Sequence, residues 1–280
     1  MLTSFKSISG YIDIEINDKY LERISLAKNV IYTCNAGSYS PVKHISSLID
    51  LSRKKGHDFF IFTDKKIKNI NEYNQILFNF KSPNPRYAAK IFKIRPDLFF
   101  TNAEVSLWID ANVQFNKNFF QKIKEFKSSN TEIFLFNHDK RSNIFEEANE
   151  CKKYLKDDIY IIDNQIENYK KKDKNLENIG LYQGRILLRK HNDNIKNFSI
   201  FWLSEILENS IRDQLSLPFA LKKSELILDN AESRSLSKYF NVLLHNKYNT
   251  YTRIDSFEKL MLSLKYKLTF LLIKLREILR

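Results

Sequence analysis

Residues 104–112 have the sequence EVSLWIDAN, in which an apolar run ends in two oxygen-bearing side chains. The β-branched, aliphatic and aromatic residues of the run predict a buried strand over residues 104–110. Asp110 ends that strand, and Asn112 follows two residues later. The stretch therefore predicts a strand whose carboxyl end carries polar groups.

Similar short apolar runs lie on both sides of this strand. They predict further strands at residues 30–34, 59–62, 132–136 and 185–188. Helical patterns lie between them at residues 45–52, 86–91, 144–157 and 160–172, and another follows the last strand at 198–209. The first twenty-odd residues lack a clear period and predict an irregular or edge element. Strands that alternate with helices predict an α/β fold, with a mainly parallel sheet flanked by helices.

Ligands of such sheets bind beyond the carboxyl ends of the parallel strands. Here that rule points to residues 33–35, to Asp64 and to residues 110–112. Mg²⁺ and Mn²⁺ prefer oxygen ligands that they share with substrate phosphates. We therefore expect Asp110 and Asn112 to bind one such cation. The alternative is a turn in which both side chains bond to nearby backbone groups.

The composition excludes several classes of protein. The chain has 280 residues, of which 43% are hydrophobic and 28% charged, with only 5 Gly and 5 Pro. These values exclude collagen-like and largely disordered chains and allow one large domain or two small ones. Two cysteines cannot form a disulfide framework, and neither a secretory signal nor an apolar run of about 20 residues is present. We expect a globular, cytoplasmic protein.

The net charge of +13 arises from 46 Lys and Arg against 33 Asp and Glu. Such an excess is typical of proteins that bind nucleic acid, anionic membranes or phosphorylated ligands. A composition rich in Lys, Asn and Ile, as AT-rich genomes produce, explains it equally well. No sequence signature of an RNA-binding module is present, so nucleic acid is not an expected partner.

Several segments, taken in order, resemble a glycosyltransferase-like family that includes the plant turgor-regulation-defect and mucilage-related proteins and bacterial relatives. The resemblance covers about residues 28–220. It rests on strand-like residues 29–33 and 60–64, the helix RYAAKI at 86–91, S-x-W-I-D-x-N at 106–112, H-x-x-R-x-x-x-x-E-E at 138–147, LRKHN at 188–192 and RDQLS at 212–216. The chain departs from the family pattern at Lys190, where a second arginine is expected, and lacks a longer loop before the late strand.

The resemblance implies a GT-A-like, Rossmann-type fold that transfers a sugar from a nucleotide-sugar donor. The acceptor would be a glycan or a lipid-linked sugar, in bacterial surface polysaccharide or lipopolysaccharide synthesis. A non-catalytic protein that binds nucleotide sugars or glycans on the same scaffold is the alternative, because the neutral Asn112 is a weaker ligand than aspartate.

Donor contacts are expected from five residues. Arg86 and Lys90 lie four apart on one helical face, near a helix start that favours anions. A departing nucleoside diphosphate gains negative charge, which such cations stabilise; the alternative is a solvated basic surface. Asp64 could accept from a ribose or base, or cap a helix. Thr33 is either a nucleotide contact or structural, and Asp110 completes the set.

Asp213 and Gln214 are the candidate catalytic residues. They begin a predicted helix, and the pair resembles the D-Q pair beside the donor sugar in glycogenin-like retaining transferases. An inverting enzyme would need a carboxylate base, for which Asp213 is also the best candidate. The alternative is that Asp213 caps the helix, a role in which Asn would serve about as well.

The remaining predicted contacts come from histidines and arginines. His138 and His191 each follow a strand, and with Arg141 and Arg212 they are the candidate acceptor-binding residues. His138 could equally make structural hydrogen bonds. His245 lies late in the chain, where many metal-dependent GT-A enzymes supply a third ligand, but a surface position is the alternative.

The last segment, residues 256–280, predicts a basic amphipathic helix after a transferase domain at 1–255. Its basic residues lie on one arc, opposite a leucine-rich stripe. This arrangement favours a helix that lies on an anionic membrane surface, here the inner face of the cell membrane. The alternative is a helix that packs on its own domain or in a homodimer.

Overall fold

The computed structural model describes residues 2–6, 13–38, 40–81 and 86–243. The strands in these ranges are β1 (Leu2–Lys6), β2 (Asp13–Asn17), β3 (Asn29–Asn35), β4 (Asp58–Thr63), β5 (Gln75–Lys81), β6 (Val105–Ile109), β7 (Val113–Phe115), β8 (Ile133–Asn137), β9 (Tyr182–Lys190), β10 (Leu228–Ala231) and β11 (Phe240–Val242). The α-helices are α1 (Asp18–Ser25), α2 (Ile45–Lys54), α3 (Arg86–Ile94), α4 (Phe119–Ser128), α5 (Ile144–Lys153), α6 (Ile159–Lys172), α7 (Asp193–Glu208) and α8 (Asp213–Ser224).

Nine of these strands form one sheet in the order β1-β2-β5-β4-β3-β6-β9-β8-β10. Strands β5, β4, β3 and β6 are parallel, and β8 is parallel to β10. Strand β9 is antiparallel to both of its neighbours, β6 and β8. Strand β2 likewise opposes β1 and β5. The two reversed strands leave the sheet mostly parallel, while β7 and β11 pair separately.

Helices cover both faces of the sheet because its central strands are apolar on both faces. In β3, Val30 and Tyr32 pack in one core cluster with residues of α3, α7 and α8. Ile31, between them, belongs to a second cluster with residues of α2 and α4. This alternation is the two-residue period of a strand buried on both sides. The expected α/β fold class is therefore confirmed.

The structure corrects the sequence predictions in three places. The first residues do lie at the sheet edge, as β1 and β2, but α1 follows them where no helix was expected. The expected helix over 144–157 ends at Lys153. The late strand is present as β9, but it is reversed. His245 and the predicted helix at 256–280 lie outside the described residues, and no helix within the described ranges is long and apolar enough to cross a bilayer.

Candidate active site

Asp110 lies immediately after β6, at the carboxyl edge of the parallel strands. Its backbone N–H donates to the Arg185 carbonyl oxygen of β9 at 2.9 Å, and its own carbonyl oxygen accepts from Val113 at 2.8 Å. The Trp108 indole N–H donates to Asp110 Oδ1 at 2.9 Å. The side chain is nevertheless 41% exposed. The loop therefore holds an oriented carboxylate that a ligand can reach.

Asn112, the second expected metal ligand, is nearly buried and connects this loop to a late part of the chain. The side-chain amide N–H of Asn112 donates to the Leu243 carbonyl oxygen at 2.8 Å. The backbone carbonyl oxygen of Asn112 accepts from the Leu243 N–H, also at 2.8 Å. Its Oδ1 is the atom that suits a hard cation. Across the described ranges, no three His, Cys, Asp or Glu residues come close enough together to hold a metal.

Asp213 is the first residue of α8, and its environment is very different. The residue is 4% exposed. Lys90 Nζ lies 2.8 Å from Asp213 Oδ1, and Lys93 Nζ binds Oδ2. Lys93 Nζ also lies 4.0 Å from Asp110 Oδ1. The two lysines are three residues apart on α3, so they share one helical face, and Lys93 lies between the two aspartates.

These contacts determine the charge of Asp213. Burial raises the pKa of its carboxyl, but the positive charges of Lys90, Lys93 and Arg212 outweigh burial and hold that pKa well below its ordinary value. Burial also lowers the pKa of Lys90 to about 8, against the opposing effect of Asp213. Asp213 is therefore ionised at neutral pH. A general base works best with a pKa near the operating pH, so this arrangement does not suit Asp213 to that role.

The cap interpretation of Asp213 is wrong in this structure. Arg212 occupies the N-cap position of α8 and makes no capping hydrogen bond with its side chain. The Asp213 carboxylate is used by the two lysines of α3 instead. Sequence could not anticipate this, because α3 and α8 are more than a hundred residues apart.

Gly184 in β9 makes room for this ion pair. A Cβ atom at Gly184 would lie 3.0 Å from Lys93 Nζ and 3.2 Å from Asp213 Oδ2. Both contacts are too short for a comfortable fit. A glycine inside a strand often marks such a close approach, and this signal could have drawn attention to Gly184 in the sequence.

Arg189 is a second residue that sequence reasoning did not assign a role. It is fully buried in β9. Its Nη2 donates to the Lys93 carbonyl oxygen at 2.7 Å, and its Nη1 to that of Ile94 at 3.4 Å. A cation at the last carbonyls of a helix is favourable. Arg189 therefore anchors the end of α3, the helix that carries Lys90 and Lys93.

The structure brings most of the expected acceptor-binding residues together. Fully buried Glu147 joins two arginines: Arg141 Nε donates to its Oε2 at 2.7 Å, and Arg212 Nη2 lies 3.6 Å from its Oε1. Arg141 Nη2 lies 3.1 Å from His138 Nε2, while His138 Nδ1 accepts from backbone N–H groups of the next turn. Burial, and then the charge of Arg141, lowers the pKa of His138. Gln214 Oε1 accepts from Arg212 Nη2 at 3.4 Å.

Residues 7–250 match the sequence profile of the TOD1/MUCI70 glycosyltransferase-like domain. The chain belongs to this family. It is similar to the probable hexosyltransferase MUCI70 of Arabidopsis thaliana, at 24% identity over an alignment of 180 residues, and the match covers 56% of this chain and 31% of that protein. The chain thus spans about a third of the length of this curated relative.

A solved structure is also similar to this TOD1/MUCI70 chain. It is the crystal structure of a glycosyltransferase involved in the glycosylation of the major capsid of PBCV-1. The TM-score is 0.44 at 9% identity, and the match covers 78% of this chain and 96% of that chain.

Three residues expected to contact the donor, Thr33, Asp64 and Arg86, are buried or bonded elsewhere within this TOD1/MUCI70 member. Thr33 is fully buried in β3, so its hydroxyl does not reach solvent in this conformation. Asp64 does not cap a helix; its Oδ1 accepts from the Gly37 N–H at 3.0 Å, and Gly37 has the positive φ of 67° that suits a glycine. Arg86 Nη1 donates to the Lys156 carbonyl oxygen at 3.3 Å.

His191 is not part of this site, and its assignment as an acceptor contact is wrong. Because β9 is antiparallel to β6, Lys190 pairs with Val105 at the start of β6, whereas Asp110 follows the end of β6. The His191 N–H donates to the Glu104 carbonyl oxygen at 3.0 Å. At about 3.3 Å per residue, the length of β6 places His191 roughly 20 Å from Asp110.

Proposed function

We propose that this glycosyltransferase-like chain transfers a sugar from a nucleotide-sugar donor to a glycan or lipid-linked acceptor. The observation that supports it best is the accessible carboxylate of Asp110 beside the buried ion pairs of Asp213 with Lys90 and Lys93. An accessible acid can orient a ligand, and the adjacent fixed charges can stabilise a transition state with little reorganisation.

In this proposal each residue has a defined part. The departing nucleoside diphosphate gains negative charge, and Arg86 and Lys90 of α3 provide cations close to it. Asp213 stays ionised, fixes the lysines of α3 and presents negative charge towards the reacting sugar carbon, while Gln214 lies next to it on α8. His138, Arg141 and Arg212 contact the acceptor.

We also propose that Mn²⁺ or Mg²⁺ binds through Asp110, Asn112 and His245. The Asp110 carboxylate is accessible, and Asn112 is bonded to Leu243. His245 follows Leu243 by two residues, a span of at most about 8 Å along the chain. His245 is thus close in sequence to the residue that Asn112 holds. A bound cation would neutralise charge on the departing diphosphate.

The wider setting of the reaction is part of the same proposal. We infer a role in bacterial surface polysaccharide or lipopolysaccharide synthesis at the inner face of the cell membrane, with residues 256–280 as the membrane-binding helix. Sedimentation with anionic liposomes tests the helix: a protein that ends at Thr252 should stay folded and no longer sediment. Unchanged sedimentation would contradict the membrane role, and aggregation would favour a helix that packs on protein.

A donor screen tests the central proposal. Each common nucleotide sugar is incubated with the protein and Mn²⁺, and release of the nucleoside diphosphate is followed. One donor should be consumed, and the anomeric configuration of the product, read by NMR, then separates retention from inversion. Release from no donor, in a protein that still binds nucleotides by calorimetry, would instead support a non-catalytic binding protein.

A further inference from the structure

An excess of positive charge adjoins Asp213 through its chain neighbour Arg212. These cations are carried by the segment after β8, the segment after α5 and the N-cap position of α8, and two carboxylates, Glu147 and Asp157, lie next to them. They are Arg141, Lys156 and Arg212.

The two carboxylates do not neutralise this group. Glu147 is fully buried and already bonded to Arg141 and Arg212. Asp157 Oδ2 accepts from the Ser210 hydroxyl at 2.7 Å and from the Ile211 N–H at 2.9 Å, so its partners are neutral groups. Those bonds fix the segment that leads into Arg212.

Lys156 shows the consequence most directly. Within the part of the chain that the structure describes, it forms no ion pair with a carboxylate. Its backbone N–H donates to the Cys151 carbonyl oxygen at 2.9 Å, which holds the residue beside the Glu147 pair. Burial, and then the positive charge of Arg212, lowers the pKa of Lys156. Clustered cations without enough counter-charge are unfavourable unless an anion binds among them.

The order of contacts favours the acceptor as the source of this anion. From Asp110 the contacts run through Lys93 to Asp213, whose chain neighbour Arg212 continues to Glu147 and Arg141. The nucleotide of the donor is placed at the Asp110 end of this line by the proposed function. In this order of contacts the cationic group follows Asp213, which the proposed function places at the reacting sugar carbon.

We propose that Arg141, Lys156 and Arg212 bind an oxyanion, a phosphate or a carboxylate, carried by the acceptor. The acceptor is then an anionic sugar, such as a phosphorylated sugar or a uronic acid. The assignment to the acceptor rests on the proposed function. The side chains of Arg141 and Arg212 are 16% and 18% exposed, which leaves both within reach of a ligand.

The test compares Lys156→Gln with the matched control Lys152→Gln. Lys152 pairs with Asp163 at 2.7 Å on the surface, outside the group. Calorimetry with inorganic phosphate should show affinity about tenfold weaker in Lys156→Gln, because a charged hydrogen-bond donor is lost, and unchanged affinity in Lys152→Gln. Affinity for a nucleoside diphosphate should stay within about twofold in both. Glucuronate and glucose 6-phosphate should compete with phosphate, and glucose should not.

Two results would overturn the proposal. Equal loss of phosphate and nucleoside diphosphate affinity in Lys156→Gln would assign the group to the donor. Phosphate affinity that is absent, or the same in all three proteins, would show that no such subsite exists. Failure of the proposed function would be a separate result. A parent protein that binds no nucleotide would contradict the proposed function, and the phosphate titrations would still decide whether the anion site exists.

Discussion

The two aspartates of the site differ in almost every physical respect. Asp110 is 41% exposed in a loop and accepts from the indole of Trp108. Asp213 is nearly buried at the start of α8 and is paired with Lys90 and Lys93. Lys93 connects the two, at 4.0 Å from Asp110. The difference indicates that Asp110 is available to a ligand, whereas Asp213 is part of the buried ion-pair network beside it.

The largest effect on stability should come from the buried acid. In Asp213→Asn the two buried lysines lose their shared counter-charge. Removing one partner of a buried ion pair leaves the other charge uncompensated and lowers the free energy of unfolding by roughly 3–5 kcal/mol. Urea unfolding measures this cost. The surface variant Asp163→Asn, which breaks the pair with Lys152, is the control and should cost at most about 1 kcal/mol.

The pH dependence of that cost has a definite sign. The folded-state pKa of Asp213 lies below its ordinary value of 3.8. Its stabilising contribution is therefore complete above pH 3.8 and is lost as the pH falls through the lower, folded-state pKa. The difference between parent and Asp213→Asn should narrow below pH 3.8. Adding Lys93→Met to Asp213→Asn should recover part of the loss, and a double variant less stable than Asp213→Asn would contradict the ion-pair account.

A smaller effect is expected at Gly184, where no charge is changed. Gly184→Ala places a methyl group 3.0 Å from Lys93 Nζ and 3.2 Å from Asp213 Oδ2. The end of a lysine side chain can shift, so we expect a cost of about 1 kcal/mol, at the low end for overpacking. In a Lys93→Met background the same substitution should cost less. An equal cost in both backgrounds would mean that Gly184 is needed for another reason.

Sequence reasoning recovered the local features of the site and missed those that depend on strand direction and tertiary packing. The apolar run before Asp110 specifies a strand and its polar end, because both depend on neighbouring residues. His191 also follows an apolar run, but a run has no direction, and β9 is reversed. Lys93 gave no signal, because its partner Asp213 is 120 residues away. The environment of Asp213 was misjudged for the same reason.

The smallest effect on stability should come from Asp110. In Asp110→Asn the side-chain oxygen still accepts from Trp108, and the position is exposed, so the unfolding free energy should change by no more than about 0.5 kcal/mol. The negative charge that the proposed donor and cation sites require is lost, however. Calorimetry with a nucleoside diphosphate should then show the Mn²⁺-dependent part of binding abolished, and donor turnover should fall about 10²-fold or more. Asp213→Asn offers the contrast, because it should lose stability first. If Asp110→Asn bound nucleotide and Mn²⁺ as the parent does, the accessible acid would not be the ligand-binding one, and the distinction between the two aspartates would have to be abandoned.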